Sequence, residues 1–164
     1  MAGTDHLKDL AESMRRQIQL DSLSFPRSAP REASGAVRLL EILHRATGGQ
    51  IPEHAVVEVD EEAALTTLHF LLPGVVGHIS VASQGGETSV TLTRSDRFAA
   101  MYWSYPRLPR VNTDFGDWFD DAYDGLELHM SNGETLAIRH DDRYVSRAAF
   151  DRFATALRAL IFAP

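Results

Sequence analysis

The chain has 164 residues, 44% hydrophobic and 24% charged; the length suits one folded domain, and the fractions exclude a fibre or a wholly disordered chain. Its net charge of −7 is spread as 0 over residues 1–34, −4 over 35–104 and −3 over 105–164, so no segment offers the basic patch that nucleic acid requires. It has no cysteine, which removes disulfides, thiol nucleophiles and thiolate metal sites, and no apolar run approaches the 18 residues of a membrane-spanning helix.

Apolar residues recur at Leu7, Leu10, Ala11, Met14 and Ile18, which predicts a helix over 5–20 with Thr4 or Asp5 as N-cap. Residues 1–21 therefore read as an N-terminal helix or arm, and 22–34, with Pro26 and Pro30, as a linker. Residues 35–164 read as a single α+β domain. It opens with a helix over 35–47 carrying Val37, Leu39, Leu40, Ile42, Leu43 and Ala46, stopped by Gly48 and Gly49. A strand follows over 55–59.

Pro73–Gly74 and Gly85–Gly86 punctuate three β-rich runs between residues 64 and 94. Residues that face each other across an antiparallel pair share one side of the sheet. Pairing Leu72 with Val75 sets Phe70 opposite Gly77 and Leu68 opposite Ile79. Pairing Gln84 with Glu87 sets Val81 opposite Val90 and Ile79 opposite Leu92. Both turns then collect Leu68, Phe70, Leu72, Ile79, Val81, Val90 and Leu92 on one apolar side. Thr67, His69, His78, Ser80, Thr91 and Thr93 are left on a wet one.

A short helix capped by Ser95 is predicted to run through Tyr102, with Phe98, Met101 and Tyr102 at helical spacing. Pro106 and Pro109 make 105–117 irregular, and 118–123 reads as a strand. A hairpin over 125–140 turns at Ser131–Asn132–Gly133. A three-residue loop with Gly133 in the left-handed region pairs Leu128 with Leu136 and Leu126 with Ile138, which keeps one face apolar. Ser146 caps a last amphipathic helix with Phe150, Phe153, Ala154, Leu157, Leu160 and Ile161 on one face. The order predicts an antiparallel sheet, a meander plus a second hairpin, with helices packed on its apolar face.

Four features carry chemistry. His69 and His78 are predicted to face each other across the meander, close enough to share a divalent metal or to repel when both are protonated. In 114–125 the carboxylates of Asp117, Asp120 and Asp121 interleave with Trp118, Phe119 and Tyr123. With Gly125 as the sixth position of a calcium loop, Ala122 and Ser131 fall where carboxylates are needed, so recognition of a basic partner is the better reading. Tyr102, Trp103 and Tyr105 form a second aromatic group of the kind enriched at interfaces. His140, Asp141 and Asp142 adjoin, but no nucleophile elbow, H-E-x-x-H, phosphate loop or dinucleotide fingerprint is present, so an enzyme is disfavoured and no cofactor is expected.

The preferred expectation is a non-catalytic acidic protein-interaction module that binds a protein partner through its acidic and aromatic surface, with neither nucleic acid nor membrane. A homodimer packed through either terminal helix is compatible with it. The opening MAGTDHLKDL lacks the basic-then-apolar order of a secretory signal, which favours the cytoplasm. Element order and acidity, though no residue motif, resemble the small secretion chaperones, acidic α+β dimers that bind an effector segment. An immunity-type protein neutralising a toxin fits the same features. The alternatives are a small enzyme or ligand-binding domain with a pocket between sheet and helices, and a metal or pH sensor built on His69 and His78.

Overall fold

A computed structural model of the chain describes residues 2–20, 23, 35–82, 87–104 and 124–162. The helices are α1 (Ala2–Arg15), α2 (Gly35–Ala46) and α3 (Arg147–Phe162). The strands are β1 (His54–Asp60), β2 (Leu65–Leu72), β3 (Val75–Ala82), β4 (Thr88–Arg94), β5 (Phe98–Ser104), β6 (Gly125–Met130) and β7 (Thr135–Arg139). They form two antiparallel sheets, ordered β1-β2-β3-β4 and β5-β6-β7, and the chain is of the α+β class. α1 packs on α2, α2 on β3 and α3 on β1. Leu10 and Met14 of α1 join Leu39 and Leu43 of α2, both sheets, and Phe150, Phe153 and Leu157 of α3 in one continuous core.

The β2–β3 register is the one that the Pro73–Gly74 turn predicts: Leu72 faces Val75, Phe70 faces Gly77 and Leu68 faces Ile79. Gly74 takes the left-handed conformation, φ 71°, that this tight turn asks of it. The β3–β4 register lies two residues from the expected one, with Ile79 opposite Val90 and Val81 opposite Thr88. A two-residue slip leaves every side chain on its own side of the sheet, so face parity is blind to it. The hairpin of β6 and β7 follows its prediction. Leu126 faces Ile138, Leu128 faces Leu136, the Met130 N–H donates to the Glu134 carbonyl at 2.8 Å, and Gly133 sits at φ 88°.

One side of the meander is apolar as expected, with Ala55, Val57, Leu68, Phe70, Ile79 and Val81 buried. The other side is not wet. Val56, Thr67, His69, Leu71 and Val76 are buried there as well. α3 and the end of β7 lie over it. Ala156 and Leu160 share a hollow with His54 and Leu71, and the Arg139 N–H donates to Glu58 Oε2 at 2.6 Å. Periodicity reads the chemistry of a face, and a polar face covered by another element looks the same in sequence as a solvated one.

Two elements differ from expectation. α1 stops at Arg15, five residues early, and the chain turns so that the Gln17 and Ile18 N–H groups both donate to the Met14 carbonyl. Ile18 and Leu20 are still buried, beyond the turn, which is why their spacing mimicked a longer helix. Ser95 begins a single 3-10 turn, Ser95–Arg97, in place of a helix through Tyr102. Phe98, Tyr102 and Trp103 are good strand formers, and pairing with β6 overrides their helical spacing. The Ser146 cap is present, its Oγ accepting the Ala149 N–H at 3.2 Å. The irregular stretch 105–117 and the strand over 118–123 lie outside the described residues.

Candidate functional site

His69 and His78 face each other directly across β2 and β3, with ring centroids 6.0 Å apart. His69 is 1% exposed, and His78 is half-buried beside it. Neither ring nitrogen of His69, nor Nδ1 of His78, has a hydrogen-bond partner among the described residues. Glu58 Oε1 lies 3.8 Å from His69 Nε2. Next along the same face Thr67 and Ser80 join their hydroxyls at 3.1 Å. Burial, with the neighbouring His69 adding to it, pushes the His78 imidazole below its ordinary value. Among the described residues no three His, Cys, Asp or Glu side chains converge as a metal site.

Glu58 links the histidine pair to a cleft of about 380 Å³ between β1 and the end of β7, whose lining includes Asp60, Thr67, Arg139, Asp141 and Arg143. Burial raises the Glu58 carboxyl, but His69, the Arg139 N–H and the Arg139 guanidinium outweigh it and hold the group below its ordinary value. Asp141 Oδ2 accepts the Val59 N–H at 3.2 Å, and Arg143 forks onto both Asp141 oxygens at 2.9 Å while reaching Glu61 and, at 3.3 Å, the Val59 carbonyl. Burial would raise Asp141 too; Arg143 and the Val59 N–H more than reverse it. The cleft's two guanidiniums are thus bound to its carboxylates, Arg139 to Asp60 at 3.7 Å and Arg143 to Asp141. The cleft works as a joint that ties the two sheets together.

His140 and Asp141, adjacent in sequence, do not act on each other. His140 Nε2 shares a 2.8 Å hydrogen bond with the Val145 carbonyl, and its ring tilts against Phe150. The pair supplies no base-and-orienter arrangement of the kind hydrolytic catalysis needs.

Tyr102 and Trp103 stand on β5, one of the two outer strands of the second sheet, 56% and 37% exposed. The Tyr102 ring meets His129 edge-on at 4.9 Å, and His129 Nε2 is hydrogen-bonded to Glu127. Tyr102 faces Glu127 across the pair, so Tyr102, Glu127 and His129 form one exposed cluster. Tyr105, Asp117, Trp118, Phe119, Asp120, Asp121 and Tyr123 lie outside the described residues.

Glu58, Glu127 and His129 escaped the sequence reading. Glu58 lies opposite Thr67, on the face that parity gives to His69, and the hairpin register already placed Glu127 and His129 on one side. Arg143, a joint residue beyond any strand, left no such signal.

No protein-family model, no curated protein and no solved structure matches this chain.

Proposed function

We propose that this chain is a non-catalytic, acidic protein-interaction module, of adaptor, chaperone or immunity type, that holds a protein partner against the Tyr102–Trp103 strand. The observation that carries this reading is two exposed aromatic side chains at consecutive positions of an outer strand. Consecutive strand residues point to opposite sides. A partner laid along β5 would therefore meet an aromatic ring on each side of the sheet, with Glu127 and His129 beside the first. Large rigid rings give contact area at low entropic cost, which is why tyrosine and tryptophan dominate binding energy at interfaces. The net charge of −7, with Asp117, Asp120 and Asp121 close in sequence, favours a basic partner through faster encounter. No helix among the described residues is long and apolar enough to cross a membrane; a cytoplasmic location belongs to this reading.

The test is a photo-cross-linking residue placed at Tyr102, at Trp103 and, as control, at Arg152 on the exposed side of α3, each expressed in the native host. Adducts to one protein from the β5 positions alone support the reading. Its affinity for that protein, measured with purified components, should fall at least about tenfold in Tyr102→Ser and in Trp103→Ser. Equal labelling from Arg152, or unchanged affinity in both variants, overturns it.

A small-ligand reading has one observation in its favour, a hollow of about 480 Å³ between β2 and α3 lined by Ile51, His54, Leu71, Leu72, Ala156 and Leu160. A saturable rise in melting temperature with a small apolar compound, abolished by Ala156→Trp, would support it over the interaction reading.

A further inference from the structure

The four-stranded sheet has two rims, and they are finished differently. On the β1 rim, Val59 is closed off: its N–H donates to Asp141 and its carbonyl accepts from Arg143. Among the described residues the β4 rim has no such cover. Among the described residues, no backbone hydrogen bond reaches β4 from any strand other than β3. From Thr88 to Thr93 it carries no charge, proline, glycine or bulge, the devices that ordinarily keep an outer strand from pairing with another chain. β5, by comparison, is interrupted by a register shift between Phe98 and Ala100. Val90 and Leu92 are 43% and 49% exposed on β4, on the same side of the sheet as buried Ile79 and Val81.

The strand is also complementary to itself. An antiparallel pair related by a two-fold axis perpendicular to the sheet must match residues whose numbers have an even sum, which keeps each side of the sheet continuous. The register that overlaps all of Thr88–Arg94 is centred on Thr91. It sets Thr91 against Thr91 of the second copy, Val90 against Leu92 of the second copy, and Ser89 against Thr93 of the second copy. The four exposed Val and Leu side chains then meet as one apolar cluster beside Ile79 and Val81 of each chain. Charges agree as well. Glu87 precedes the strand, while Arg94, Asp96 and Arg97 at its other end sum to one positive charge, so each chain's acidic end lies at its neighbour's basic end.

We infer that two copies of the chain associate through β4, antiparallel about Thr91, to make a continuous eight-stranded sheet. The helices are poor candidates for this role, because Leu10, Ala11 and Met14 of α1 and Phe150, Phe153 and Leu157 of α3 are buried in their own chain's core. The surface is separate from Tyr102 and Trp103, and the inference stands whether or not β5 binds a partner.

The absence of cysteine makes the test direct, since every thiol cross-link must come from an introduced residue. Sedimentation should give wild-type protein twice the chain mass of 18.2 kDa. Thr91→Cys should be captured as a covalent dimer by a short thiol cross-linker, because facing Cβ atoms lie about 4.5–5.5 Å apart. Thr93→Cys should not, since its two copies would stand four residues apart along the strands. Thr91→Lys, which sets two ammonium groups against each other, should sediment as a monomer with an unchanged circular dichroism spectrum. Wild-type protein that stays monomeric to its solubility limit overturns the inference. So does cross-linking of Thr93→Cys as efficient as that of Thr91→Cys, or dimeric Thr91→Lys.

Discussion

Phe70 lays its ring across Gly77, the residue it faces on the neighbouring strand. A Cβ built on Gly77 would fall 2.2 Å from Phe70 Cζ, and the ring is fully buried in the core with nowhere to retreat. Gly77→Ala is therefore expected to lower stability by about 1–3 kcal/mol through overpacking. Urea unfolding of that variant checks it, and the double variant Gly77→Ala with Phe70→Leu should recover part of the loss. Full additivity of the two changes would show that the ring and the added methyl do not collide.

The joint between the sheets depends on Asp141, which accepts the Val59 N–H and holds Arg143. Removing it in Asp141→Ala leaves the Val59 N–H without its acceptor and Arg143 with only Glu61 and the Val59 carbonyl, at a cost of about 1–3 kcal/mol. Asp141→Asn keeps an acceptor oxygen and should lose less. The carboxyls of Asp141 and Glu58 are both held below their ordinary values in the folded state. Their contribution is thus present above the unfolded carboxyl pKa of about 4 and is lost as pH falls through the folded values below it. Midpoints measured from pH 6 downward should show this loss, and Asp141→Asn should flatten it.

His78 gives a second dependence, in a higher pH window. Burial and then His69 depress its folded pKa below the ordinary value of about 6.5, so the unfolded chain takes up a proton first. Stability from this group is complete above about 6.5, falls as pH drops through that value, and levels off below the folded pKa. The groups facing it are His69 on β2 and Thr91 on β4, with Glu58 one strand beyond. Urea midpoints between pH 8 and 5 check the slope, which His78→Gln should reduce. NMR titration of the two imidazoles should show His78 displaced to acid pH.

Ser146 begins α3 by accepting the Ala149 N–H. Ser146→Ala is expected to cost about 1 kcal/mol, and Ser146→Asp to restore most of it. Thermal unfolding of the three proteins side by side is sufficient.

The fold was legible wherever a turn dictated its own geometry. Pro73–Gly74 and Gly133 each demand one backbone conformation, and with it one register, so the β2–β3 and β6–β7 pairs could be read residue by residue. The double-glycine bend carries no such demand, and the β3–β4 pairing came out two residues away on the correct face. Phe98–Ser104 misled because Phe98, Met101 and Tyr102 fit a helix locally, whereas the decision lies with β6, some 25 residues on. The facing of His69 and His78 was readable from parity; their burial was not. Glu58, the charge beside His69, is fixed by the β1–β7 joint, whose contacts join residues more than 80 apart.

The finish of the β1 rim has a consequence for how large an assembly this sheet can build. A sheet that is sticky at both rims adds copies without end and grows into a filament, whereas one with a single sticky rim is satisfied by its first neighbour. By tying Val59 to a carboxylate and a guanidinium, the fold blunts strand addition at that end of the β1 rim, a brake on growth that β4 lacks among the described residues.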